Sequence, residues 1–243
     1  AGRLLHCAGW LDQNGNGNPP QANDKCDRST VAYPNLVRTW LQSKKSWPNM
    51  SFSFLACSGD TTTDVDSESP SQLNGLVGDT GGNGEGTQLS HSDVLARARI
   101  VTITVGGDDL NFADILTNCI NSLQHSCDTH SNDGWINNLS QNISTLESSL
   151  VTTYSDIEQA APNAELFVIG YPNFLPLGNQ TGCQGLSRAA IKYLAPMQKS
   201  LNDVVKEAAW SVGATYIDPN SGKNSFIGHD VCRPSTLQAS TSR

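Results

Sequence analysis

"RIVTITVGGDDLNF", Arg99 to Phe112, is the stretch from which the fold can be read. Ile100 to Val105 is a run rich in β-branched residues, which suits a central strand of a parallel sheet, where both faces are covered. Two glycines and two adjacent acids follow. Parallel strands end at the mouth of a ligand site, so Asp108 and Asp109 fall where chemistry is found more often than elsewhere.

The segments on either side repeat one unit, a helix followed by a strand. Tyr33 to Lys45 places Leu36, Val37, Trp40 and Leu41 on one helical face, and "MSFSFLAC" (50–57) alternates apolar and polar residues as a strand does. Ser67 to Gly86 is too rich in Gly, Ser and acids to pack and reads as a long surface loop. A short helix is expected around Val94 to Ala98. From Trp135 to Ala161, Ile136, Leu139, Ile143, Leu146, Leu150, Tyr154 and Ile157 recur at three and four, the mark of a long amphipathic helix. "APNAELFVIGYP" (161–172) then supplies a turn and a buried strand. A helix from about Ser187 to Val212 ends at Gly213, and "ATYIDP" (214–219) gives a last short strand. Such alternation predicts a parallel sheet with helices on both faces. No internal repeat is present.

Composition excludes several classes. The 243 residues fit one α/β domain, 1–243, able to bury its own core. Fifteen basic against 23 acidic residues give a net charge of -8, and no basic cluster exceeds Lys44-Lys45, so no nucleic-acid or anionic-lipid partner is expected. No apolar run approaches the roughly 20 residues of a membrane helix, and "AGRLLHCAGW" (1–10) lacks the apolar core of a signal peptide. The chain therefore reads as mature, soluble protein.

Two features speak for a secreted, extracellular protein. Asn-x-Ser/Thr acceptor sites occur at Asn49, Asn138, Asn142 and Asn179. Seven cysteines without Cys-x-x-Cys or zinc spacing suit an oxidising compartment. Cys119, His125, Cys127 and His130 match no common metal site and read instead as a disulfide loop with surface histidines, so no metal is expected. Nothing calls for a cofactor.

Four ordered blocks, "ACSGDTT" (56–62), "VTITVGGDDLNF" (101–112), "APNAELFVIGYP" (161–172) and "IDPNSGKNSFIGHDVC" (217–232), resemble those of secreted SGNH hydrolases, the GDSL lipases and esterases. The resemblance covers nearly the whole chain. It implies a three-layer α/β/α fold, flavodoxin-like and doubly wound on a mostly parallel sheet, with the family's first strand missing or replaced. It also implies three bridges, Cys26 with Cys57, Cys119 with Cys127 and Cys183 with Cys232, leaving Cys7 over. Family members hydrolyse small-molecule or lipid esters with a serine nucleophile, a histidine base and an oxyanion hole. Carried over, the histidine is His229, the main-chain carbonyl that orients it belongs to Phe226, and the oxyanion-hole glycine is Gly59. His6, His91, His125 and His130 read as ordinary surface or hydrogen-bonded histidines.

Two departures stand out. The Gly-Asp-Ser block is nowhere in the chain, although "AGRLL" resembles the residues that commonly follow it. Forcing the block onto "RLLHCAG" puts the serine position at Leu5, with Cys7 two positions off register, and Ser58 reads as a turn residue. The oxyanion-hole asparagine is replaced by Asp108, whose ionised carboxylate can only accept hydrogen bonds. Asp109 matches an aspartate of the family and is expected to cap a helix starting at Leu110. The leading reading is a secreted ester hydrolase whose nucleophile block is absent through truncation, processing or an incomplete gene model. The alternative is a non-catalytic relative binding an acyl or carbohydrate ligand. A glycosidase built on Asp108 or Asp109 has only the carboxylates in its favour, and adjacent residues diverge rather than face each other across a sugar.

Overall fold

A computed structural model describes residues 31–44, 47, 50–56, 59–66, 92–112, 115–116, 135–176 (side chains from 141 onward in the helix), 186–223 and 225–232. The elements, in chain order, are α1 (Tyr33–Gln42), α2 (Thr62–Val65), α3 (Ser92–Leu95), β1 (Ile100–Ile103), α4 (Trp135–Ala160), β2 (Glu165–Ile169), α5 (Arg188–Val212) and β3 (Thr215–Ile217).

The sheet of the described residues has three strands in the order β1-β2-β3. Both pairings are parallel, with Ile103 opposite Val168 and Ile169 opposite Ile217. Each crossover is a long helix, α4 between β1 and β2 and α5 between β2 and β3, as two successive βαβ units require. The C-terminal ends of all three strands consequently leave the sheet at one edge.

The long helices form as their sequence patterns dictate. On α4 the 3.6-residue repeat buries Ile143, Leu146, Leu150, Tyr154 and Ile157. On α5 the buried face includes Ile191, Leu194, Leu201, Val205 and Ala208. Full burial of a Leu or Ile side chain stabilises by about 1.5–3 kcal/mol; the α4 face packs with Leu201, Val205 and Ala208 of α5 and with Leu166 and Val168 of β2 in one cluster, and Ile191 and Leu194 lie in a second. Helix α5 starts where the Ser187 Oγ accepts the Ala190 N–H at 3.0 Å. It stops at Gly213, whose φ of 86° is the left-handed conformation glycine tolerates best.

Two local expectations are corrected. The strand expected at 50–57 is not one: residues 50–56 run without ladder bonding among the described residues. Phe52 and Phe54 still lie side by side, ring centroids 6.1 Å apart, because alternation fixes the side a residue faces and not its backbone partner. Among the described residues β2 pairs with both other strands and β1 with β2. The short helix expected at Val94 to Ala98 is α3, two residues earlier. Finally, α1 forms but buries none of its residues: Leu36 is 56 % and Trp40 59 % exposed. The loop expected at 67–86 lies outside the described residues.

Candidate functional site at the sheet's C-terminal edge

The turn that follows β1 is built around its glycines. Gly106 has a φ of 112°, and a Cβ there would press to 3.3 Å on the Leu146 side chain. Gly107 donates its N–H to the Tyr171 hydroxyl at 2.8 Å. The chain then winds through a tight turn in which the Asp108 carbonyl accepts the Asn111 N–H and the Gly107 carbonyl accepts the Phe112 N–H. Asp108 and Asp109 are both half-buried in this turn.

Asp109 does not cap a helix beginning at Leu110. Its carboxylate reaches across to α2, accepting the Thr62 N–H at 3.1 and 3.2 Å and the Thr62 hydroxyl at 2.5 Å. Residues 108–111 form turns, whereas the first N–H groups of α2 need an acceptor, so the carboxylate goes to that second helix. Thr61 adds a local lock, donating its N–H and hydroxyl to the Asp64 carboxylate at 2.9 and 2.6 Å. Gly59 lies three residues before Thr62 in an exposed turn, with a φ of 91°. The Thr62–Asp109 bonds therefore tie the glycine segment to the turn that carries Asp108.

The segment after β2 is gripped by side-chain amides. Asn202 of α5 accepts the Tyr171 N–H at 2.7 Å and donates to the Tyr171 carbonyl at 2.9 Å. Asn220, beyond β3, accepts the Asn173 N–H at 2.6 Å and donates to the same Tyr171 carbonyl at 3.0 Å. Gln198 accepts the Phe174 and Leu175 N–H groups at 3.2 and 3.4 Å and donates to the Asn173 side-chain oxygen at 3.1 Å. The ring of Phe174 stands edge-on to Phe112 at 5.9 Å, and its carbonyl accepts the Val231 N–H at 2.8 Å. Through Val231 the histidine segment is held to the end of β2.

His229 is exposed. Its backbone N–H donates to the Phe226 carbonyl at 2.9 Å, and its ring meets the Phe226 ring at 6.4 Å, inclined by 73°. Phe226 therefore touches His229 twice, and the carbonyl named as orienting the imidazole accepts a main-chain N–H here. Phe226, Ile227 and Val231, its near neighbours in sequence, are exposed apolar residues, Ile227 by 71 %.

Burial dominates the electrostatics of this edge. It lifts the Asp109 carboxyl above its ordinary 3.8, against the lowering effect of the Thr62 bonds. It also pushes the Tyr171 hydroxyl well above the usual phenol range, with the charges of Asp108 and Asp109 adding and the Gly107 N–H opposing. Tyr216 is pushed up to about 12, first by burial and then by Asp218 and Asp203. The phenols here are neutral hydrogen-bonding groups at any physiological pH.

Of the residues singled out from sequence, Gly59, Asp108, Phe226 and His229 all lie on segments at this edge, linked through Thr62–Asp109, Gly107–Tyr171, Phe112–Phe174 and Phe174–Val231. Cys232 is disulfide-bonded. Cys26, Cys57, Cys119, Cys127, Cys183, Cys7 and Ser58 lie outside the described residues, as do Asn49, Asn179 and the cluster with His125 and His130. Asn142 is exposed on α4; Asn138 is on the same helix, its side chain outside the description. Sequence reasoning missed Thr62, Tyr171, Gln198, Asn202 and Asn220. For the α5 pair a signal existed, because Gln198 and Asn202 occupy positions on the helix's apolar stripe, where a polar residue must find partners.

The pattern of the GDSL-like Lipase/Acylhydrolase family matches residues 8–242. Lipase 1 of Streptomyces coelicolor is 33 % identical over 220 residues, which is 90 % of this chain and 68 % of that protein. Among solved structures, the extracellular lipase of Streptomyces rimosus superposes with a TM-score of 0.64 at 30 % identity, covering 87 % of this chain and 75 % of the other. Phospholipase A1 of Streptomyces albidoflavus gives 0.61 at 27 % identity, over 86 % and 74 %. The fold is thus the three-layer α/β/α architecture of these hydrolases.

Proposed function

The chain belongs to the GDSL-like lipase/acylhydrolase family, and on that premise we propose that it represents a secreted carboxylic ester hydrolase acting by acyl transfer. In this reading residues 1–243 form a single hydrolase domain that stands here without its nucleophile block. His229 is the general base. It takes the proton of a serine hydroxyl as that oxygen attacks the ester carbonyl, and returns it to the departing alkoxide; a water then repeats the cycle on the acyl-enzyme. Gly59 and position 108 face the developing oxyanion, and Phe226 orients the imidazole.

One observation carries the reading. The segments bearing Gly59, Asp108 and His229 are stitched to one edge of a parallel sheet by bonds between Thr62 and Asp109, Gly107 and Tyr171, and Phe174 and Val231. Groups as far apart in sequence as Gly59 and His229 need such a common edge to act on one ester. The exposed Phe226, Ile227 and Val231 beside His229 suit the acyl portion of a lipid ester. Pairings of Cys232 with Cys183, Cys26 with Cys57 and Cys119 with Cys127, and glycans on Asn49, Asn138, Asn142 and Asn179, belong to the same proposal of a secreted protein.

The test is turnover of p-nitrophenyl esters and labelling by a fluorophosphonate, in this chain and in a form preceded by a strand and a Gly-Asp-Ser block. Turnover and labelling in the extended form, abolished by His229→Ala, support the enzyme. An extended form that folds yet neither labels nor turns over would favour the second reading, a non-catalytic relative that binds an acyl or carbohydrate ligand. Asp108 favours that second reading, since an ionised carboxylate repels an oxyanion.

A further inference from the structure

We infer that Gln198, buried inside α5, is a positioning residue for His229, an inference that rests on reading His229 as the base. Gln198 is 1 % exposed, and an amide so placed is strongly destabilising if left unpartnered. It spends its hydrogen bonds on one short segment, accepting from the N–H groups of Phe174 and Leu175 and donating to the Asn173 side chain. One helical turn later Asn202 brackets Tyr171 in the same way. A rigid helix thus dictates the backbone of residues 171–175 through two amides spaced four apart.

That segment is the support of the histidine. Phe174 is the joint: its N–H is shared between the Pro172 carbonyl at 2.9 Å and Gln198 at 3.2 Å, its ring leans on Phe112 of the Asp108 turn, and its carbonyl accepts the N–H of Val231, two residues beyond His229. An exposed imidazole has little packing of its own to fix it, so its position follows the backbone that bears it. Gln198 acts on His229 through Phe174 and Val231, without touching it.

Two variants separate this role from ordinary core filling. Gln198→Met keeps the length and apolar volume but removes all three bonds; Gln198→Glu keeps an acceptor for the two N–H groups and, in the protonated form that burial favours, an O–H donor for the Asn173 oxygen. Amide hydrogen exchange of Val231 and NMR signals of the His229 ring are followed in the chain as it stands, and kcat and KM in any form that turns over ester. In Gln198→Met, Val231 exchange rises about tenfold, the His229 ring signals shift and broaden, and kcat falls with KM unchanged, while Val205 keeps its protection. Gln198→Glu stays close to the parent in all of these. The inference is overturned if Gln198→Met speeds exchange at Phe174 and Leu175 but leaves Val231 and His229 as they were. It is equally overturned if Gln198→Glu disturbs His229 as much as Met does, which decides the matter should the Met variant not fold. Absence of ester turnover in every form would count against the proposed activity alone, because exchange and ring signals are read without it.

Discussion

Asp109 and Thr62, 47 positions apart in sequence, are joined by three hydrogen bonds, two from the Thr62 N–H and one from its hydroxyl to the Asp109 carboxylate. One carboxylate thereby closes the start of α2 and locks the Gly59 segment against the Asp108 turn. Replacing Asp109 by Ala leaves the Thr62 donors without their acceptor and should cost about 1–3 kcal/mol. Asp109→Asn, which keeps one acceptor oxygen, should recover part of that loss. Urea unfolding of the three proteins measures it, and equal stability of the Ala variant and the parent would refute the lock.

The same carboxyl makes a signed contribution to pH dependence. Its folded pKa is raised above 3.8, chiefly by burial, so the folded state holds the proton more tightly than the unfolded chain. Its favourable contribution is complete below 3.8 and disappears as pH climbs through the raised value. The stability of the parent relative to Asp109→Asn should therefore fall as pH rises from 3.8 through that value, then level off. Melting temperatures of both proteins between pH 3 and 7 give the difference curve; a difference that grows with pH contradicts the assignment.

Position 108 offers a gain-of-function test. In a form carrying the nucleophile block, Asp108→Asn replaces an acceptor with an N–H donor, and ester turnover should rise by about a hundredfold or more, the usual worth of one oxyanion-hole donor. Steady-state kcat is the measurement. No gain, or a loss, would remove position 108 from the oxyanion hole.

Gly170, at the end of β2, faces the Tyr216 hydroxyl so closely that any Cβ would collide with it, and Asn202 Oδ1 lies 3.0 Å from the same point. Gly170→Ala should destabilise by about 1–3 kcal/mol. Adding Tyr216→Phe should restore part of that, a coupling that a double-mutant cycle in urea resolves. Strict additivity would mean that the clash is relieved elsewhere.

The Tyr154 hydroxyl is buried on α4 with no hydrogen-bond partner among the described residues. Burial pushes its ionisation far above the phenol range, and the ring alone packs the core. Tyr154→Phe removes a desolvated group at no loss of contact and should raise stability by about 1 kcal/mol. A fall in melting temperature would reveal a partner for this hydroxyl.

Much of the fold was legible in the chain. The apolar repeat on α4, the stops at Ser187 and Gly213 around α5 and the run Ile100 to Val105 announce helices and a strand, because those signals act within a few residues. Legibility failed where an element's fate depends on what lies beside it. Residues 50–56 alternate as a strand does yet have no ladder among the described residues, and α1 shows an apolar face that the fold leaves exposed. The candidate site divides in the same way. His229, Gly59 and Asp108 could be named from blocks, whereas Asn220 looks like an ordinary loop amide, and Gln198 and Asn202 stand out only as polar residues on an apolar stripe, until their partners are in place.

Order of blocks and periodicity, then, determined the α/β class, the long helices and the residues to watch, since backbone preference and side-chain spacing are local properties. Only the tertiary structure decided that Asp109 serves α2, that β2 is the middle strand of the described sheet, and that α5 grips the segment behind the histidine. Hydrogen bonds between groups tens of residues apart depend on the packing of two long helices against the sheet, and no short stretch of sequence encodes that distance.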